Sequence, residues 1–173
     1  ARAPPSFPWC CVLSPELQIS LCGAMLAKWS SLWVVVPCYN EVNVLRQTHA
    51  RLSTALQSTG LNYEIVYVND GSEDNTLVIL RELQVADDRV RVVSFARNFG
   101  HQVAVTAGVE FTTGDAVVLI DADLQDPPEL IHQMVRMWMD GYQVVYGVRE
   151  SRSGESPFKL LTAKLFYRII NSI

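Results

Sequence analysis

The residues best suited to chemistry in this 173-residue chain follow a short apolar segment. Residues 116–120 are apolar and rich in β-branched side chains, and Asp121, Asp123 and Gln125 come directly after them. If the backbone stays extended there, the alternation of side chains places all three oxygen donors on one face. Two carboxylates and an amide, without His or Cys, suit a hard cation such as Mg²⁺ or Mn²⁺ that leaves positions open for phosphates. The spacing therefore predicts a metal site that binds a diphosphate.

An alternative gives both aspartates a purely local role. Pro127 and Pro128 are typical of the start of a helix, so Asp121 and Asp123 could simply cap the turn before it. The spacing alone leaves both interpretations open.

The elements that must position these residues alternate between strand and helix from Leu32 onward, a pattern typical of an α/β sheet. The predicted strands cover residues 32–36, 63–68, 90–95, 116–120 and 143–146. The predicted helices cover residues 41–57, 73–85, 100–111 and 128–139, and Asn40 is expected to cap the first of them. We predict one domain over residues 31–173. Residues 1–30 show neither a helical nor a strand period, which predicts a weakly ordered extension.

Polar residues also follow two other predicted strands, at residues 37–41 and 69–72. Ligands of open parallel sheets bind beyond the carboxyl ends of the strands, so we expect all three segments to meet at one edge. Asp70 is a candidate reader of a nucleobase, because a carboxylate accepts hydrogen bonds from the ring N–H groups of uracil or guanine. Plain turn chemistry is the alternative. Gly71 is expected to supply a left-handed turn there, and Ser72 to cap the next helix. No GxGxxG motif follows the first strand, so a dinucleotide site lacks its phosphate loop.

Other residues near this edge are weaker candidates. Tyr39 could pack beside the base or shield the sheet edge. Residues 97–101 follow the third strand and could face the same cleft, although His101 is more typical of a helix start than of a catalyst. Arg149 and Arg152 follow the last strand and suit a diphosphate through the fork of their guanidinium groups, with a solvated loop as the alternative.

The composition excludes some classes of function. The chain is 49% hydrophobic, enough for a core, and its formal net charge of −4 argues against a general nucleic-acid binder. No run of 18 apolar residues occurs, as a membrane-spanning helix would need. Residues 157–173 have the period of an amphipathic helix, which could pack on further protein or lie at a membrane surface.

Four segments, taken together, resemble the family 2 glycosyltransferases with the GT-A fold. They are VVVPCYNE (34–41), YEIVYVNDGSEDNT (63–76), ARNFGHQVAVTAG (96–108) and VVLIDADLQDPPE (117–129). The likeness covers residues 32–173. Its RNFGHQ and DADLQDPPE parts are specific to the polyprenyl-phosphate branch, which includes dolichyl-phosphate mannose synthases and bactoprenol glucosyltransferases. The resemblance implies an α/β, Rossmann-like fold for nucleotide-diphospho-sugar transfer, a mostly parallel sheet flanked by helices, incomplete in this chain.

The resemblance also implies roles by position. The residues that look like those contacting the nucleotide sugar are Pro37, Tyr39, Glu41, Val68, Asp70, Asp121, Ala122, Asp123 and Arg149. Asp121 and Asp123 look like the catalytic pair, and together with Gln125 they look like the ligands of Mg²⁺ or Mn²⁺.

The implied reaction moves a hexose with inversion from UDP-glucose or GDP-mannose to a polyprenyl or dolichyl phosphate, on the cytoplasmic side of a membrane. The implied partners are a nucleotide-sugar donor, a lipid acceptor and a membrane surface. Relatives continue beyond residues 157–173, so the resemblance implies a chain truncated at its C-terminus that holds the donor half of the site. The alternatives are a family 2 transferase with a polysaccharide or other soluble acceptor, and an inactive nucleotide-sugar-binding fragment.

Overall fold

The structure, a computed structural model, describes the backbone of residues 11–13 and residues 30–148 with their side chains. The strands are β1 (Cys11–Leu13), β2 (Ser31–Cys38), β3 (Asn62–Asn69), β4 (Val90–Ser94), β5 (Ala116–Leu119) and β6 (Val144–Tyr146). The helices are α1 (Leu45–Gln57), α2 (Thr76–Ala86), α3 (His101–Glu110) and α4 (Ile131–Met139), and a 3₁₀ turn (Pro128–Leu130) leads into α4. Arg149, Arg152 and the predicted helix over residues 157–173 lie outside the described residues.

The described strands form one sheet in the order β4-β3-β2-β5-β1-β6. β2 pairs in parallel with β3 on one side and with β5 on the other, and β4 pairs in parallel with β3. The predicted mostly parallel α/β sheet is therefore confirmed. The register places Cys38 beside Asn69 and Val35 beside Leu119, so the carboxyl ends of β2, β3 and β5 lie side by side.

Both faces of this parallel sheet are apolar, as expected of strands covered on two sides. Leu32, Val34 and Val36 of β2 pack on one face in a cluster that includes buried residues of α1, α2 and α4. Val35 points to the other face and packs in a cluster with Ala104 of α3. Helices thus flank the sheet on both faces, which leaves its carboxyl edge for the site.

The N-terminal segment differs from the prediction at one place. Residues 1–30 carry no strand period, yet Cys11–Leu13 forms β1, which pairs antiparallel with both β5 and β6. Three residues are too few to show an alternation in sequence, and the strand exists through its two neighbours. The division into residues 1–30 and 31–173 stays a prediction.

Candidate functional site

A cavity of about 290 Å³ opens at the carboxyl edge of the parallel strands. Its walls come from the segments after β2, β3, β4 and β5, as the sequence predicted for an open parallel sheet. The lining residues are Pro37, Cys38, Tyr39, Glu41, Asp70, Asn98, Gly100, His101, Ala104, Asp121, Ala122 and Asp123.

Most of the predicted site residues meet at this cavity, whereas Val68 and Gln125 do not line it. Val68 is fully buried in the cluster beneath α3, with its Cγ2 atom close to Gly108. Gln125 lies on the turn after Asp123, outside the lining set. Arg149 lies outside the described residues.

The acidic segment after β5 is a turn, which corrects the extended geometry predicted for it. β5 ends at Leu119, and Leu124 has a φ of 61°, in the left-handed region. The backbone N–H of Gln125 donates to Oδ1 of Asp123 over 2.9 Å. The alternation that was to place Asp121, Asp123 and Gln125 on one face therefore ends before Gln125, because a left-handed residue reverses the chain there. Asp121 and Asp123 still line one cavity.

The loop after β2 is locked to the loop after β3 through Asn40. Asn40 has a φ of 58°, and its Oδ1 accepts hydrogen bonds from the backbone N–H groups of Glu73 and Asp74 over 2.9 and 3.4 Å. In return, the N–H of Asn40 donates to Oγ of Ser72, and the N–H of Glu41 donates to Oγ1 of Thr76. These bonds hold Tyr39 and Glu41 at the cavity.

Two predicted helix caps are therefore wrong. Asn40 was expected to cap α1 and Ser72 to cap α2, but those helices begin at Leu45 and Thr76. The side chains of Asn40 and Ser72 bond across to each other's loops instead. Cross-loop pairing is a tertiary contact that local sequence patterns do not report.

Asp70 is 3% exposed and binds the loop before α3. Its Oδ1 accepts the N–H of Phe99 over 2.7 Å, and its Oδ2 accepts the N–H of Gly100 over 2.9 Å. Each carboxylate oxygen has a second lone pair, so the group can still accept a further bond from a ligand in the cavity.

Gly71 allows the two loops to approach this closely. It has a φ of 64°, as predicted for a left-handed turn, and a Cβ atom there would lie 2.2 Å from the backbone carbon of Arg97. The guanidinium of Arg97 lies over the ring of Phe99, 4.3 Å from its centroid. Only glycine fits between these two loops.

Negative charge is concentrated at the cavity. Partial burial, and then the carboxylates of Asp123, Asp74 and Asp121, raise the pKa of Glu41. Burial, and then Glu41 and Asp121, raise the pKa of the Cys38 thiol, which keeps it neutral. Such a cluster favours a cation at the cavity.

A histidine also lies near the acidic turn. Nε2 of His101, the first residue of α3, is 3.8 Å from Oδ1 of Asp121. Residues 97–101 were expected to face this cleft, and Asn98, Gly100 and His101 do line it. Cys38 was expected at this edge only as part of the segment 37–41, and Ala104 was not predicted, since an alanine in a helix carries no signal of a site.

The donor set fits a cation bound partly by substrate. Within residues 11–13 and 30–148, no group of three or more His, Cys, Asp or Glu side chains is arranged to hold a metal ion. Asp121 and Asp123 nevertheless offer two carboxylates at one cavity. Mg²⁺ is commonly held by one or two carboxylates together with waters and phosphate oxygens rather than by protein alone.

Comparison with known proteins gives a consistent picture. The family described as Glycosyl transferase family 2 matches residues 33–172. An uncharacterised glycosyltransferase, YkcC, of Bacillus subtilis is 51% identical over 140 residues, which are 81% of this chain and 43% of YkcC. The bactoprenol glucosyl transferase of Shigella phage SfX is 40% identical over 140 residues, 81% of this chain and 46% of that protein. The chain thus spans less than half the length of these relatives.

A solved structure supports the same fold. Glucosyl-3-phosphoglycerate synthase from Mycobacterium tuberculosis, in complex with Mn²⁺, UDP and phosphoglyceric acid, matches with a TM-score of 0.52 and 26% identity. The match covers 65% of this chain and 40% of that one. In the part of our chain that the structure describes, no helix has the length and apolarity needed to cross a bilayer.

Proposed function

The chain belongs to the family 2 glycosyltransferases, and from this premise we propose that its cavity binds the nucleotide and diphosphate of a nucleotide sugar. We further propose that the donor is UDP-glucose, with GDP-mannose as the competing donor, and that the acceptor is a polyprenyl phosphate. The observation that carries the proposal is the meeting of Asp70, Asp121 and Asp123 at one cavity beyond three parallel strands.

The residues that line the cavity suit both the base and the diphosphate of the donor. Two backbone N–H groups orient the carboxyl group of Asp70, and its oxygens suit the ring N–H of uracil or guanine and not adenine. Tyr39 lines the same cavity with 41% of its surface exposed, available to pack on the base. Asp121 and Asp123 face the position left for the diphosphate.

Asp121 and Asp123 would hold a divalent cation jointly with the diphosphate. Such a cation, when bound, neutralises charge on the departing nucleoside diphosphate. The two carboxylates fix its place, and Glu41 adds negative charge nearby. The acceptor phosphate is anionic near neutral pH, so the residues of this cavity act by positioning and electrostatics rather than by removing a proton.

The glucosyl donor and the lipid acceptor are supported by the 40% identity to a bactoprenol glucosyl transferase. Transfer to a lipid acceptor would take place at a membrane surface. Transfer of labelled glucose to polyprenyl phosphate in detergent micelles, compared with transfer to soluble oligosaccharides, separates the two acceptor classes. Label found only in soluble products would contradict the lipid acceptor.

The donor site is tested by calorimetric titration of the folded chain with UDP-glucose, GDP-mannose and ADP-glucose, each with and without Mn²⁺. We expect Mn²⁺-dependent binding of UDP-glucose and no heat from ADP-glucose. Equal affinity with and without Mn²⁺ would overturn the role of the cation. Absence of binding by a chain shown to be folded would overturn the donor site as proposed.

Two variants test whether Asp123 is the residue through which Mn²⁺ strengthens donor binding. Asp123→Asn is expected to remove the gain in affinity that Mn²⁺ provides. Asp88→Asn is the matched control, because Asp88 is exposed at the opposite edge of the sheet, ahead of β4. Loss of the Mn²⁺ effect in both variants, or in neither, would count against the assignment of Asp123.

A further inference from the structure

A buried hydroxyl on α1 donates a hydrogen bond to the backbone of the acidic turn. Oγ1 of Thr48 donates to the backbone carbonyl of Ala122 over 2.6 Å. Thr48 has no exposed surface, and Ala122 is 2% exposed. The two residues are far apart in sequence, so this bond ties the first turn of α1 to the loop after β5.

The hydroxyl proton is directed to Ala122 rather than into its own helix. Oγ1 of Thr48 also lies 3.1 Å from the carbonyl of Val44, the residue one turn earlier. That carbonyl already accepts the backbone N–H of Thr48 over 2.9 Å. A hydroxyl has one proton to donate, and the shorter contact with good geometry receives it.

The position of this carbonyl matters because Ala122 stands between Asp121 and Asp123. Its C=O belongs to the peptide group that joins Ala122 to Asp123, so holding the carbonyl fixes the direction in which Asp123 leaves the turn. The turn also contains Leu124 in the left-handed region, a conformation that persists only where neighbouring contacts enforce it. Thr48, which is not among the residues lining the cavity, supplies such a contact.

We propose that Thr48 is a positioning residue for the diphosphate end of the donor site. It touches neither donor nor cation, and acts by holding the peptide between the two aspartates. The expected effect of Thr48 on donor binding rests on the proposed function. The expected effect of Thr48 on the turn does not, and a measurement without ligand can detect it.

Three variants test the hydrogen bond from Thr48 to Ala122. Thr48→Val keeps the shape of the side chain and removes the donor, and Thr48→Ser keeps the hydroxyl. Thr54→Val is the matched control, because Thr54 lies on the same helix, is exposed, and donates only to the carbonyl of Ala50 one turn earlier.

The first measurement needs no ligand. Amide hydrogen exchange by NMR reports on the N–H of Gln125, which is bonded to Asp123. We expect exchange at Gln125 to be at least about tenfold faster in Thr48→Val, and unchanged in Thr48→Ser and Thr54→Val. Unchanged exchange in Thr48→Val would overturn the proposal whether or not the chain binds nucleotides.

The second measurement compares ligands with and without the diphosphate. Thr48→Val is expected to weaken Mn²⁺-dependent binding of UDP-glucose by roughly tenfold and to leave the affinity for uridine unchanged. Thr48→Ser should restore the affinity. An equal loss for both ligands, or a lowered melting temperature with unaltered affinity, would reduce Thr48 to a structural residue. Failure of the wild-type chain to bind UDP-glucose contradicts the proposed function, and the exchange experiment then decides the role of Thr48 alone.

Discussion

Oδ2 of Asp70 accepts the backbone N–H of Gly100 over 2.9 Å, so the carboxylate predicted to read a base also closes the start of α3. Oδ1 of the same carboxylate accepts the N–H of Phe99. The proposed base-reading position and the loop carrying Asn98 and His101 are therefore built around one buried group.

Asp70→Asn should destabilise the fold. The amide places an NH₂ group against a backbone N–H, so one buried donor loses its acceptor, at a cost of about 1–3 kcal/mol. Urea denaturation measures the change, with Asp88→Asn at an exposed site as the control. Equal stability of Asp70→Asn and the wild-type chain would show that the carboxylate does not hold the loop.

Gly71→Ala should cost far more than Gly60→Ala. Both glycines have positive φ, so each substitution incurs about 1–2 kcal/mol of backbone strain. A Cβ atom at Gly60 meets nothing within 4 Å, whereas at Gly71 it meets the backbone of Arg97. We expect a total of more than about 3 kcal/mol at Gly71 from strain plus overlap. Chemical denaturation of the two variants provides the comparison, and similar losses would contradict the close approach of the loops.

Two substitutions of Asn40 should separate the loss of its hydrogen bonds from the cost of backbone strain. Asn40→Gly tolerates the positive φ but loses the acceptor for Glu73 and Asp74, at about 1 kcal/mol. Asn40→Ala also loses the acceptor and adds about 1–2 kcal/mol of strain. The expected order of stability in thermal melts is wild type, then Asn40→Gly, then Asn40→Ala. An alanine variant as stable as the glycine variant would argue against the left-handed conformation.

Asp115 should give a pH-dependent contribution to stability. The backbone N–H of Ser30 and then that of Ser31 donate to its Oδ2, each over 2.9 Å, and lower the pKa of Asp115. A lowered folded-state pKa means stability that is present above the unfolded value of 3.8 and lost as the pH falls through the folded value.

The corresponding variant is Asp115→Asn. We expect a loss of about 1 kcal/mol at neutral pH, kept modest because the carboxylate is partly exposed, and a loss that shrinks as the pH falls below 3.8 through the lowered folded-state pKa. Urea titrations across this range measure it. A difference that stays constant with pH would show that the charge of Asp115 plays no part.

The sequence predicts the sheet well because its strands are apolar and β-branched and its helices have clear periods. It predicts the convergence of Asp70, Asp121 and Asp123 because parallel strands share a carboxyl edge. It fails where a residue acts through a distant loop. Asn40 and Ser72 look like local caps, Thr48 looks like any helical threonine, and β1 is too short to show a period. Each acts through partners that adjacent residues do not reveal.

The strand order itself explains why there is a cavity at all. β2 has β3 on one side and β5 on the other, and α1 and α3 lie on opposite faces of the sheet. The chain passes from β2 through α1 to β3 on one side, and from β4 through α3 across the opposite face to β5 on the other side. The strand order therefore reverses between β2 and β5, and the crevice at their carboxyl ends is a consequence of topology rather than of any side chain. Side chains around its rim can be exchanged without closing it, so the selectivity of the proposed donor site can change while the fold stays the same.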